Sequence, residues 1–509
     1  MKAYQRNLRN RKRRIDRRLD PGRRWSAQPE PMMRGGNLHY EMGERGRGLS
    51  CGGIGAFVEL AQRTGLVDEL DKHLHLLKVH LPYHESDHVL NLAFNALVGG
   101  TCLEDIELRR NDEVYLDALG AQRIPDPTTA GDFTRRFDER SLLTLMECLN
   151  RVRERLWAGQ GKDFLKEAFV DLDGTVAETF GECKEGMNYC SYKQTWGYAP
   201  LLISLANTGE PLYLVNRPGD AQSHEGCAEW VDRALALVTR HAQRVCLRGD
   251  TDFSLTAHFD RWSEQADFVF GMDAMPNLKE LAAALPETAW KPLQRRAKHT
   301  VKTKPRERRD NVKEQVVKER EFKNIRLVSE HVAEFSYQPG KCERPYRMVV
   351  LRKNLSVEKG EQVLFDDIRY FFYLTTREDL SAEEVVFLAN DRCDQENLIE
   401  QLKNGVNAMR MPVDNLVSNW AYMVITSLAW TLKSWFALCM RTRADRDEVL
   451  GMEFRRFLHT FVLIPCQLVR TGRKLVYRLL SYNRCLTKFF TTFDRIKSLR
   501  LRLQPLPAA

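Results

Sequence analysis

At residue 166 the hydrophobic rhythm of the chain changes from a helical to an extended period. EAFVDLDGT, TWGYAPLLISLA and EPLYLVNRPG follow as three strand-like runs joined by short polar turns, an antiparallel meander. A helix (HEGCAEWVDRALALVTRH), a strand (RVCLRGD), a helix from about Leu255 to Gln265 and a strand (ADFVFGMD) come next. Three strands followed by alternating helices and strands leave few solutions, and the expected one is a mixed α/β sheet. From roughly 280 to 365 basic residues and short β-rich pieces such as EHVAEFSYQ and YRMVVLRK interrupt the pattern, which predicts an insertion; RYFFYLTTRE then resumes as a strand.

Helices flank this block. FVELAQRTGLVDELDKHL, DHVLNLAFNALVGG and SLLTLMECLNRVRERLW repeat apolar residues at three and four within residues 50–158. Between them PDPTTAGDFTRRF places Thr129 and Asp132 at capping-box spacing, opening a short helix that bears Arg135 and Arg136. A helix–turn–helix and a plain helical linker both fit that stretch. The first 48 residues read as a basic tail without apolar periodicity. Helices are expected again from Asn415 onward, where the 13-residue run from Trp420 to Leu432 is too short to span a bilayer and reads as a buried helix.

Charge is placed unevenly along the 509 residues, whose net charge is +9. Residues 1–50 hold 14 Lys and Arg against 5 Asp and Glu, residues 291–326 again 14 against 5, and residues 441–509 hold 15 against 5. Three basic segments around an acidic middle suit a polyanion held about a carboxylate centre. The 12 cysteines form no framework, so free thiols in a reducing compartment are expected. Cys183 with Cys190, and His224 with Cys227, match no common zinc spacing, and no bound zinc is expected. CGGIGAF lacks the strand and helix of a nucleotide cradle.

The carboxylates carry the chemistry. Alternation in EAFVDLDGT puts Asp171 and Asp173 on one face of a strand that then turns at Gly174, and Asp250 ends the apolar strand RVCLRGD. Two strand-end aspartates, joined by a glutamate from a helix across the edge, can share hard cations. The stretch NDRCDQENLIEQLKNG offers that glutamate: Arg392, Glu396 and Lys403, at offsets of four and seven, return to nearly one helical face. An exposed helix with ordinary ion pairs has the same pattern, and Glu400 is a second candidate carboxylate.

In these residues the chain resembles the DDE transposases of bacterial insertion sequences, the branch with a Y-(2)-R-(3)-E-(6)-K signature. Arg392, Glu396 and Lys403 match it, and VDLDGT and LRGDTDF look like the two aspartate motifs; the resemblance runs from about 50 to 440. Ala389 stands where the signature has its tyrosine. The resemblance implies an RNase H-like mixed-sheet α/β core with a β-rich insertion and helical regions at both ends. The expected division is a flexible basic tail (1–48), a helical DNA-binding domain (49–160), the core in two parts (161–280 and 366–440), the insertion (281–365) and a basic helical C-terminal region (441–509). It also implies catalysis and metal binding by Asp173, preferred to Asp171 because it precedes Gly-Thr, with Asp250 and Glu396. The cofactor would be Mg²⁺, with Mn²⁺ able to substitute. Arg392, Lys403, Arg135, Arg136, Arg295 and Arg296 would contact double-stranded DNA at element ends and target, in a homodimeric synaptic complex in the bacterial cytoplasm. A nuclease on the same core and a regulator that has lost catalysis are the alternatives.

Overall fold

The computed structural model describes residues 3–20, 32–33, 38–40, 46–161, 163–181, 183–191, 193–295, 312–321, 323–359 and 362–499. Its centre is a nine-stranded mixed sheet. The strands are β1 (Glu167–Gly174), β2 (Leu201–Leu205), β3 (Glu210–Val215), β4 (Arg244–Gly249), β5 (Asp267–Met272), β6 (Lys291–Pro292), β7 (Lys323–Tyr337), β8 (Tyr346–Lys359) and β9 (Gln362–Thr375). They lie in the order β6-β7-β8-β9-β5-β4-β1-β2-β3. β1, β4 and β5 run parallel to one another, and every other neighbouring pair is antiparallel. β4 and β5 are buried along nearly their whole length, as strands covered on both faces must be, and β1 is buried through its middle.

The segment expected as an insertion does not form a separate β unit. β9 pairs with β5 from Phe372↔Met272 to Thr375↔Val269, so the long hairpins β7-β8-β9 extend the central sheet. A boundary at 365 falls inside β9, because the pairing with β8 runs unbroken across it from Phe365 to Thr375. Nor does a boundary near 160 divide the apolar core: one cluster runs from Leu49 through the sheet to Ile496.

Several helices differ from expectation. Within the predicted tail, residues Ala3–Arg18 form helix α1, built from the straight-chain side chains that favour helix. Helix α2 (Pro127–Thr134) is capped by Asp126, which accepts the Thr129 amide at 2.8 Å, with Pro127 in the first turn. Thr129 therefore sits three residues inside the helix rather than at its cap, since Pro127 has no amide to leave unpaired there. Helix α3 (Glu139–Ala158) is buried on several sides, and its Arg153 pairs with Glu210 of β3 at 2.9 Å, both fully buried. It has no free face of the kind a recognition helix presents to a major groove. Glu210 also accepts from Trp157 and Trp435, which ties α3 and the long helix Leu416–Leu438 to β3. That 23-residue helix is buried almost throughout, and no helix among the described residues is long and apolar enough to cross a membrane.

The helix expected from Leu255 to Gln265 is only a 3₁₀ turn and the four-residue helix Phe259–Trp262. In the C-terminal region a hairpin, Cys466–Thr471 with Lys474–Leu479, precedes the last helix Leu486–Ser498. Gly472 makes its turn with a φ of 58°, open to glycine at no steric cost.

Candidate active site

β1 sends Ala168, Val170 and Leu172 into the core and ends at Asp173 and Gly174. β4 lies beside it in parallel, and Asp250 follows its last residue, accepting the Asp252 amide at 3.0 Å to cap a 3₁₀ turn. Asp173 and Asp250 thus stand at the carboxyl ends of adjacent parallel strands, where open α/β sheets bind ligands.

The structure separates the two aspartates of β1. Asp171 is buried in a bidentate ion pair with Arg248 of β4, at 2.6 and 2.8 Å. Burial raises the Asp171 carboxyl above its ordinary range, against the pull of the Arg248 charge. Asp171 is thereby committed to joining β1 and β4. Asp173 lies one pleat further on and meets Arg392 instead, Nη1 to Oδ2 at 3.3 Å, while Nη2 of the same guanidinium is 3.7 Å from Asp250 Oδ2.

Arg392 does not share one regular helix with Glu396 and Lys403. Helix α4 (Ala382–Asp391) ends at Arg392, helix α5 (Cys393–Glu400) begins after it, and residues Gln401–Gly405 form a π turn. Gln395 fixes α5 to the sheet by donating to the carbonyls of Asp171 (3.0 Å) and Leu202 (3.2 Å). Glu396, the next residue, is exposed, and its charge acts on Asp173; Glu400 instead accepts from Asn404 at 2.8 Å. The π turn swings Lys403 inward, where its Nζ donates to the Val176 carbonyl at 2.7 Å.

Burial is the largest influence on Asp173; with Asp250 and Glu396, and against the pull of Arg392 and the Gly174 amide, it pushes the carboxyl up to about 7. Asp250 is raised as well, by burial first and then Asp252, against Arg392. Lys403 is lowered by burial and by Lys193, against Glu178, Glu400 and Asp173. The centre thus holds more carboxylate than one guanidinium neutralises. An oxygen-only donor set of this kind suits a hard divalent cation. Among the described residues no three His, Cys, Asp or Glu are grouped closely enough to hold one, because Arg392 fills the space between the aspartates and Glu396 faces solvent.

The family model described as transposase DDE domain group 1 matches residues 39–501. The chain belongs to that family. DDE transposases are DNA-cleaving, metal-dependent enzymes. The curated proteins compared include no match. Among solved structures, a cryo-EM structure of the piggyBac transposase synaptic complex with hairpin DNA is similar over 81% of this chain and 84% of that one, at 11% identity and a TM-score of 0.34.

In this DDE transposase the residues expected to touch DNA are not gathered at one place. Arg392 faces the two aspartates, and Lys403 faces a backbone carbonyl. Arg135 pairs with Asp132 at 2.9 Å and Asp414 at 3.1 Å, bracing α2, while Arg136 is exposed. Arg295 is held by Glu330 at 2.6 and 2.9 Å, and Arg296 lies outside the described residues. Ala389 packs against the small apolar cluster beneath α4.

Three site residues escaped the sequence reading. Arg248 and Gln395 hold the strands and α5 in register. Tyr373 of β9, raised by burial, feels the charges of Arg295 and Arg392. Only Arg248 had a local signal, an arginine inside an otherwise apolar strand.

Proposed function

We propose that this protein is a transposase of the bacterial insertion-sequence kind that binds the terminal inverted repeats of its element, cuts the phosphodiester backbone and joins the 3′-ends to target DNA. The observation that carries the reading is the alignment of Asp173 and Asp250 at the ends of adjacent parallel strands, with the helix bearing Glu396 anchored across that edge by Gln395. The β3-β2-β1-β4-β5 half of the sheet, with β1, β4 and β5 parallel, is consistent with an RNase H-like core.

Asp173, Asp250 and Glu396 would hold divalent cations, Mg²⁺ with Mn²⁺ able to substitute, which when bound activate a water or 3′-hydroxyl and stabilise the leaving oxygen. The remaining work falls to the chain's own residues. Asp171 and Arg248 lock β1 to β4, which sets the spacing of the two aspartates. Arg392 balances their charge, and once released from them its fork can take a phosphate. Lys403, half-buried near Asp173, adds a second cation on the same side. Function as a homodimer in a synaptic complex, in the bacterial cytoplasm, completes the proposal.

The test is cleavage and strand transfer on duplexes ending in the element's own repeats. Wild type should cut and join, whereas Asp173→Asn, Asp250→Asn and Glu396→Gln should bind ends and cut none. Cutting without joining would indicate a nuclease, and binding without cutting a regulator.

A further inference from the structure

We propose that the two ends of the chain, remote in sequence, assemble one surface that grips the backbone of duplex DNA outside the catalytic centre. Helix α1 (Ala3–Arg18) carries eight Lys and Arg and one Asp. Its Tyr4, Leu8, Arg11 and Ile15 are half-buried, at spacings of four, three and four, so they form a single stripe. That stripe docks on the C-terminal region. Tyr4 stacks on Phe490 of the last helix with ring centroids 4.5 Å apart, and Arg11 Nη1 donates to the carbonyls of Leu479 (2.7 Å) and Ser481 (3.2 Å) at the end of the hairpin. Arg6, Arg13, Arg14, Arg17 and Arg18 consequently face solvent.

The surface α1 docks on is itself basic. Residues 466–498 hold eight Lys and Arg and one Asp, and Arg473, Lys474, Arg478, Arg484, Arg495 and Lys497 are exposed. Acidic residues are few on it: Asp16 takes Lys12 within α1 and Asp494 is exposed on the last helix, while at its margins Asp117 takes Arg47 and Arg470, and Asp445 and Glu448 take Lys488. A surface of this density, with a rod of about 24 Å laid across it, matches the regular charge of a duplex backbone. Arginine rather than lysine dominates α1, which suits forked contacts to phosphate oxygens.

This inference rests on the transposase reading, and the test keeps the two apart. Binding of the full chain to a 30-base-pair duplex, about 100 Å long, is measured by fluorescence anisotropy over a salt series. One variant reverses Arg13, Arg14, Arg17 and Arg18 to Glu, a second reverses Arg473, Lys474 and Arg478 to Glu, and a third, Leu8→Ser with Ile15→Ser, keeps every charge but undocks α1. Each should weaken binding at least about tenfold at 0.1 M salt and flatten the salt dependence by about one unit of slope for every phosphate that is no longer neutralised. Unchanged affinity and slope in either reversal variant, wild-type behaviour of the undocked variant, or preferential binding to vesicles of anionic lipid over DNA would each overturn the proposal. If wild type cuts DNA with Mg²⁺ while the reversal variants keep full affinity, this inference alone falls. If wild type neither binds nor cuts, the transposase reading falls with it.

Discussion

Replacing Asp173 by Asn should stabilise the metal-free protein while abolishing cleavage. The carboxyl is pushed from its ordinary 3.8 to about 7 by burial and by neighbouring carboxylates. The folded state therefore binds this proton more tightly than the unfolded state does. The stability it contributes is complete below about pH 4 and is lost as pH rises through about 7. Asn mimics the neutral form and loses nothing. From those two values, the stability gap between variant and wild type is about 1 kcal/mol at pH 4.5 and about 4 kcal/mol at pH 8. Urea unfolding with a chelator present, at both pH values, measures it. Added Mg²⁺ should narrow the gap at pH 8, because cations bound by the wild-type carboxylates stabilise the folded state. A variant less stable than wild type at pH 8, or a gap that does not widen with pH, would refute the electrostatic account of the site.

Glu396→Gln should abolish cleavage and Glu400→Gln leave most of it, because Glu400 is spent on Asn404; equal losses in a nicking assay would undo that assignment. Arg248→Met strands the buried Asp171 carboxylate and should cost about 3–5 kcal/mol in urea unfolding. Arg153→Met should cost a similar amount by leaving the buried Glu210 charge without its counter-ion, with no effect on the salt dependence of DNA binding. Elemental analysis of purified protein should find zinc far below one per chain; stoichiometric zinc would overturn the reading of the cysteines as free thiols.

Much of the architecture was legible in the sequence because period and spacing are local. Alternation in EAFVDLDGT and the apolar run of RVCLRGD delineate the strands that carry Asp173 and Asp250, and the even apolarity from Trp420 to Leu432 belongs to the buried helix found there. Residues 3–18 misled because their docking stripe contains an arginine and so shows no apolar period; contacts with Phe490 and with the Leu479 and Ser481 carbonyls, more than 450 positions away, make it a stripe. The division of labour between Asp171 and Asp173 was equally out of reach. Both share a face in the sequence, and it is Arg248 and Arg392, brought in by β4 and by the break before α5, that assign one to the interior and one to the site. Local sequence determines which residues alternate or recur along an element. What each carboxylate faces depends on charges delivered by other elements, and those distances exist only once the chain has folded.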